Sequence, residues 1–461
     1  MIETLAAIVI LGFSTWRCLS SPLAPWLTLI YIHTLAYWLR LRVEFFYENR
    51  NILNYFILLL TVGTFVYHAS KDRSFLRSLT PTHTLILIIL AYSWISLSWS
   101  PGYEAYLSFN SHTFRNVIAN QAIYTLVLPA LFIIGMDKVD IRGDLRLIGL
   151  TVLPLVVLTT DFEGRSAQYL FLAIDPATGD IAEASSNPLQ IAYFGSVMLM
   201  FATIFMERRL PILLANSAIA VLSAYLMLLS QSRGQLISTI VILMLLLPFR
   251  SDRMRARHLL VFGPISLFFI GLFALNVSEI FRFIFTELNF DYSYIERFSG
   301  ADLSSSWEAR MEFLSSVAHE WFNSATAVLF GLGTAASFAI VGIYIHNVFV
   351  EAFLEQGVFI GIACLAFVIY TVRDIFTALD LTNVSRYQRR FLLFVSAQFI
   401  AQILIALKQG TLTKSVDLLS HAIFSSIYAR HLILQYGARQ VQKPARPSRP
   451  PQAQPQATSA V

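Results

Sequence analysis

Apolar residues run through this chain in blocks of about twenty, the length at which a helix crosses the hydrocarbon of a bilayer. Windows of that size predict helices over 4–19, 22–39, 51–68, 82–99, 117–135, 145–160, 189–206, 211–229, 235–249, 259–276, 348–372, 390–407 and 416–434. No alternating ten-residue pattern of the kind that builds a membrane barrel is present. Single strands leave their backbone unsatisfied in lipid. The expected fold class is therefore all-α, a polytopic membrane bundle of about 12–14 transmembrane helices.

Residues 277–347 interrupt this pattern and form the one large extramembrane piece. Its first part, Ile280-Phe281-Arg282-Phe283-Ile284-Phe285, is amphipathic enough to lie on the membrane surface. Residues 305–323 read as an amphipathic helix with Arg310 and Phe313 neighbouring at i and i+3. From about 437 the chain turns polar and proline-rich, with Arg439, Lys443, Arg446 and Arg449, and reads as a disordered cytoplasmic extension able to touch anionic lipid. The expected organisation is an N-terminal transmembrane bundle over 1–276 and a periplasmic loop over 277–347. C-terminal transmembrane helices follow over 348–436, then the tail over 437–461.

Lysine and arginine in short loops set the orientation. One set of loops is basic: Lys71, Arg73 and Arg77; Lys138, Arg142 and Arg146; Arg208 and Arg209; Arg250, Arg253, Arg255 and Arg257; Arg373, Arg386, Arg389 and Arg390. These alternate along the chain and are assigned to the cytoplasm. The opposite set, 100–116, 161–188, 230–234, 277–347 and 408–415, is poorer in cations despite Arg115, Lys408 and Lys414. Strict alternation puts both Met1 and Arg40-Leu41-Arg42 on the outer side. Two alternatives stay open: residues 1–40 form one hairpin-like or re-entrant unit, or one helix is miscounted.

Composition agrees with a membrane chain: 56% of residues are hydrophobic and 13% charged, against roughly 25% charged in soluble domains. The net charge of +5 says less than where the charges sit. Met1-Ile2-Glu3 lacks a basic n-region, so no cleavable signal peptide is expected. Cys18 and Cys364 make neither a disulfide framework nor a metal site. There is no phosphate-binding glycine loop, no HExxH and no CxxC pair, and the basic residues are not interleaved with aromatics as in nucleic-acid binders. Neither a cofactor nor a nucleic-acid partner is expected. The acids assigned to the outer side are scattered, so no metal site is expected either.

The outer side instead carries Arg165, Arg233, Arg297, Arg310 and His346. Two or three guanidiniums suit a diphosphate, because their forks match phosphate oxygens. Most of these arginines have a local carboxylate that offers a purely structural pairing: Glu163 for Arg165, Glu296 for Arg297, Glu308 and Glu312 for Arg310. Arg233 differs, since no acid occurs between Glu207 and Asp252. His346 suits proton transfer or a charged contact to phosphate, although a lone histidine at a membrane edge is also a common interfacial residue. Asn347 can cap the helix that follows, on which Glu351 and Glu355 share a face. The structural alternative for that acidic pair is a salt bridge to a loop arginine. Asn187-Pro188 opens another helix, as prolines often do.

Ser232-Arg233-Gly234, opening an apolar helix, resembles the Ser-Arg-Gly signature of the O-antigen ligase and polysaccharide polymerase superfamily. The later elements of that family resemble Arg297, Arg310, Gly331-Leu332-Gly333, His346-Asn347, Glu351 and Glu355-Gln356-Gly357, in that order. Asn187-Pro188 and the short Ser96-Leu97-Ser98-Trp99-Ser100 also resemble family segments. The lead-in to Gly331, Thr326-Ala327-Val328-Leu329-Phe330, has no proline where the family pattern places one. The similarity is strongest over residues 185–365, less than half the chain.

This resemblance implies a metal-independent membrane glycosyltransferase of the bacterial inner membrane, its site facing the periplasm. The donor is expected to be a glycan on undecaprenyl pyrophosphate. The acceptor is expected to be lipid A–core in a ligase, or a second lipid-linked glycan in a polymerase. Arg233 and His346 are expected in catalysis; Arg310, Arg297, Arg165, Glu351 and Asn347 are expected to bind substrate. A transporter of lipid-linked sugars is the rival class, and it predicts polar residues deep in several helices and repeat symmetry. A structural or regulatory subunit is the third.

Overall fold

The computed structural model describes residues 2–42, 44–49, 52–74, 80–101, 114–159, 172–174, 181–184, 188–230, 232–251, 301–342, 345, 347–382, 384–408, 412 and 416–437. Every helical window read from the sequence coincides with a helix except 259–276, which lies outside the described residues. The helices are α1 (Ile2–Ser20), α2 (Ala24–Arg42), α3 (Glu44–Glu48), α4 (Ile52–Ala69), α5 (Pro81–Ile95), α6 (Phe114–Gly135) and α7 (Arg142–Thr159), then α8 (Pro188–Ile204), α9 (Leu210–Leu229) and α10 (Arg233–Leu246). After the undescribed stretch come α11 (Ala301–Phe322), α12 (Ala325–Phe330), α13 (Ala336–Val341), α14 (Val348–Leu379), α15 (Arg386–Lys408) and α16 (Val416–Leu432). One small exception to the all-α expectation is an antiparallel hairpin, β1 (Leu172–Ile174) and β2 (Ile181–Ala184), with Leu172 opposite Ala184.

Five stretches are long and apolar enough to cross a membrane: Ile52–Ala69, Pro81–Ser98, Leu210–Leu229, Val348–Leu379 and Arg386–Leu407. Shorter apolar helices accompany them. The chain is a helical membrane protein. α4 and α9 turn large apolar side chains outward, among them Leu59, Val66, Leu214 and Val221, as lipid-facing helices do. α8 is the opposite case: Phe194, Met198 and Phe201 have no exposed surface, so it runs through the centre. α2, α6, α15 and α16 meet at an aromatic knot. There Phe132 stacks on Phe424 at 4.6 Å, Trp26 meets Phe424 edge-on at 5.4 Å, and Phe391 meets Tyr428 edge-on at 4.7 Å. In lipid, close packing and interhelical hydrogen bonds hold helices together, because tails are as apolar as leucine. Ser196 and Thr239 hydroxyls 2.7 Å apart tie α8 to α10 in this way.

Charged contacts fix which helix ends are neighbours. Arg17 at the end of α1 pairs with Asp144 in the first turn of α7, and Lys138 pairs with Asp72. Asp374 near the end of α14 accepts from Arg430 Nε at 2.7 Å and Ser426 at 2.9 Å on α16. Arg142 and Arg390 both reach Glu207. The described members of the arginine- and lysine-rich loops therefore sit at one end of the bundle, as the charge bias in the sequence predicts. α1 and α2 form a helical hairpin whose turn lies at this basic end, with Ser14 and Tyr31 hydrogen-bonded across it. That arrangement is the one strict alternation gives, with α2 returning to the opposite end before α4. The stretch read as an amphipathic helix over 305–323 falls in α11, which ends at Phe322, whereas residues 280–285 and 438–461 lie outside the described part.

Phe132→Ala removes a fully buried ring from the aromatic knot. The expected cost is about 3 kcal/mol, with a smaller loss for Phe132→Leu. Thermal unfolding of both variants in one detergent checks the order.

Candidate functional site

The end of the bundle opposite the basic loops is organised by the first turns of α14. Asn347 is its N-cap: its side-chain oxygen accepts from the backbone N–H groups of Phe349 and Val350, both at 3.1 Å. The same amide donates to the Leu407 carbonyl at 3.1 Å, joining the start of α14 to the end of α15. One turn on, Glu351 is 2% exposed and accepts from the backbone N–H of Leu412 at 3.0 Å. Gln121 of α6 donates to the Leu412 carbonyl at 2.9 Å. The Glu351 carboxylate and the Gln121 amide thus pin residue 412 against two helices, α14 and α6.

One turn further, α14 breaks. Gly357 has φ +82°, and a Cβ there would lie 2.3 Å from the Leu329 carbonyl oxygen. Gly331 mirrors it, with φ +79° and a virtual Cβ 2.2 Å from the Glu355 carbonyl oxygen. Only glycine permits both the left-handed backbone and the contact. The freed carbonyls of the break do not stay empty. Leu332 N–H donates to the Leu354 carbonyl at 3.0 Å, and Gly333 N–H donates to the Glu355 carbonyl at 2.9 Å. The Gly-Leu-Gly loop is therefore laid into the gap that Gly357 opens.

Side chains complete this junction. Glu355, 2% exposed, accepts from the N–H groups of Ala335 (2.6 Å) and Ser337 (3.1 Å) and from the Ser337 hydroxyl (2.6 Å). A buried carboxylate is stable only with such donors, and among the described residues these are its partners. The salt-bridge alternative raised for the acidic pair does not apply to Glu355. Gln356 accepts from Ser96 Oγ at 3.0 Å and donates to Thr334 Oγ1. Ser96 and Thr334 hydroxyls are 2.6 Å apart, and Ser100 donates to the Thr334 carbonyl. Tyr92 of α5 donates to the Phe330 carbonyl at 2.8 Å. Three segments far apart in sequence, 96–100, 331–337 and 355–357, form one hydrogen-bonded junction.

α11 lies over it. Leu314, Val317, Ala318 and Trp321, one stripe at helical spacing, pack with Ile345, Leu354, Ile340 and Val350. Arg310 lies on this helix one turn before Leu314, and Arg233 is the first residue of α10; neither side chain is described. α10 ends at Leu246, and Arg250 beyond it lies at the basic end. Arg233 therefore starts its helix at the junction's end of the bundle. His346 lies between described Ile345 and Asn347 but is itself outside the described residues, as are Arg165 and Arg297. α8 begins at Pro188, while Asn187 lies outside.

The structure thus brings together Asn347, Glu351, the Gly-x-Gly loop, Glu355-Gln356-Gly357 and Ser96–Ser100. Sequence reading quoted Gln356 within Glu355-Gln356-Gly357 without a role for it, and missed Thr334, Ser337 and Leu412. The signal available for the first three was polarity inside an otherwise apolar stretch next to glycine. Leu412 had none, because a backbone group does the work. Chemically, Glu355 is committed to three donors and acts as an anchor. Asn347 caps α14, and Glu351 holds residue 412 against it.

No family model matches this chain, and no curated protein matches it significantly.

Gly357→Ala meets both a forbidden backbone region and a carbonyl, at a cost of at least about 1–2 kcal/mol. Gln356→Ala strips partners from buried hydroxyls at about 1–3 kcal/mol. Both are expected to speed hydrogen exchange across 331–337 while leaving the α2–α16 aromatic knot protected; unchanged exchange there contradicts the junction.

Proposed function

We propose that the chain is a membrane glycosyltransferase of the bacterial inner membrane, with about 12–14 spanning helices. It moves a glycan from an undecaprenyl-pyrophosphate donor to an acceptor on the periplasmic side, and the most fitting acceptor is lipid A–core, which makes it an O-antigen ligase. A polymerase joining two lipid-linked glycans is the alternative within the same chemistry. The observation that carries the reading is convergence. The described members of the segments that resemble the ligase and polymerase superfamily are scattered between residues 96 and 357, and they lie at one end of the bundle. That end is opposite the arginine-rich loops. The positive-inside bias then favours a periplasmic position for the junction and for a 277–347 loop above it.

In this reading the acceptor hydroxyl attacks the anomeric carbon of the donor sugar. The bond from that carbon to the phosphate oxygen breaks, and undecaprenyl pyrophosphate leaves with the electron pair. The hydroxyl proton passes to His346, which also suits a phosphate contact. Arg233 and Arg310 hold the diphosphate as charge develops on it, the kind of fixed electrostatic support that is often the largest catalytic contribution. Arg297 and Arg165 extend the grip on substrate. Asn347, next to His346 in the sequence, contacts substrate, and Glu351 orients the acceptor or a cation. The chemistry proposed is metal-independent and uses no cofactor.

A transfer assay with purified full-length protein tests the assignment. Arg233→Ala is expected to lower turnover by about 10²–10³-fold, and His346→Ala by about 10²–10⁴-fold, with thermal unfolding unchanged. Folded variants that keep full transfer overturn the reading. A deletion strain separates the two acceptors: polymer retained on carrier lipid with none on the core means ligase, and single repeat units on the core mean polymerase.

A further inference from the structure

The basic end holds a second polar feature that glycan transfer does not use. The turn between α8 and α9, the start of α7, the end of the α10 segment and the start of α15 enclose a cavity of about 390 Å³, within the roughly 300–1,000 Å³ of ordinary ligand sites. Its walls carry Arg142, Arg208, Arg209, Arg250, Arg386 and Arg390, with Glu207 and Tyr387 among them. Little of this charge is answered. Glu207 Oε1 is shared between Arg142 Nη1 at 3.2 Å and Arg390 Nη1 at 3.7 Å, and Asp140 holds the other edge of Arg142 with Nη2 at 2.6 Å. Among the described residues, the Arg250 side chain hydrogen-bonds the Thr203 carbonyl alone, at 3.5 Å. Among the described residues, no side-chain hydrogen bond or ion pair ties Arg208, Arg209 or Arg386 to another residue. Arg390 is 9% exposed, and its buried Nε has no partner among the described residues. Tyr387 lies under the Arg142 guanidinium, 5.0 Å from the ring centre, and sets its plane.

Guanidiniums this close repel one another unless an anion joins them, and in a partly buried cavity water screens that repulsion poorly. Their forked donors match the paired oxygens of phosphates and carboxylates, and a phosphate offers several arginines an oxygen each. The neighbouring helix points to where the phosphate comes from: Leu210, next to the cavity residue Arg209, and Leu214 one turn on are exposed and apolar, so the lipid-facing side of α9 starts beside the cavity. We propose that this cavity is an anion site for a phosphate ester, placed to take the headgroup of an anionic phospholipid lying beside α9. Free phosphate or pyrophosphate offers the same chemistry from solution. The site stands apart from the glycosyl-transfer reading, since Arg390 and Leu407 are about 25 Å apart along α15.

The experiment titrates full-length protein in neutral detergent with short-chain phosphatidylglycerol, with phosphatidylcholine as control, and separately with inorganic pyrophosphate. Bound ligand is read by native mass spectrometry. Variants are Arg386→Gln/Arg390→Gln and the exposed pair Arg208→Gln/Arg209→Gln, which keeps the test valid if the buried pair fails to fold. Arg373→Gln, outside the cavity, is the control. Saturable phosphatidylglycerol binding that weakens at least tenfold in the cavity variants and not in the control supports the site with lipid as its ligand. The same pattern for pyrophosphate alone supports the site with a soluble ligand. Binding of neither, or binding equal in all variants, overturns it.

Discussion

A carboxylate buried in an apolar bundle must be met by donors that stay in place, and Glu355 imposes that requirement on everything around it. Its donors come from Ala335 and Ser337, which can reach it only if residues 331–335 turn sharply. The turn needs Gly331, and its close approach to α14 needs Gly357. Gln356 then extends the same demand to Ser96 on the far side of the sequence. α11 rests on the platform so formed, and Asn347 caps the helix that supports it. Removing one member leaves the rest with unsatisfied buried groups, which is why the junction behaves as a unit and not as a set of separate contacts.

The two ends of the bundle use polarity differently. At the junction, nearly every buried polar side chain has a named partner, and backbone donors do much of the work. At the basic end, cations outnumber the carboxylates that answer them. The first arrangement fixes geometry. The second leaves charge available to something outside the protein. Between them the helices are joined by packing and a few hydroxyl pairs, as expected where lipid supplies no hydrophobic drive.

Most of the architecture was legible in the sequence because lipid imposes a strong length rule, and twenty apolar residues show it without knowledge of neighbours. The clustering of Arg142, Arg208, Arg250 and Arg390 at one end was legible for the same reason. The N-terminal hairpin was not decided, since charge bias near Arg40-Leu41-Arg42 conflicts with alternation and only the Arg17–Asp144 pair resolves which end the turn occupies. At the site, the glycines and acids were legible as motifs but their contacts were not. Ser96 and Gln356 are 260 positions apart, and no periodicity carries information over that distance. Glu355 looked like a candidate for an arginine partner because charge pairs with charge in most sequences; here three neutral donors serve instead.

The break at Gly357 also fixes a depth. Residues 358–379 rise about 33 Å as a straight helix, which alone matches a hydrocarbon layer of about 30 Å. The nine residues before the glycine are surplus to that thickness. A bilayer spanned by residues 358–379 alone would leave Glu351 and Glu355 outside its hydrocarbon, so that neither carboxylate has to enter the oily interior.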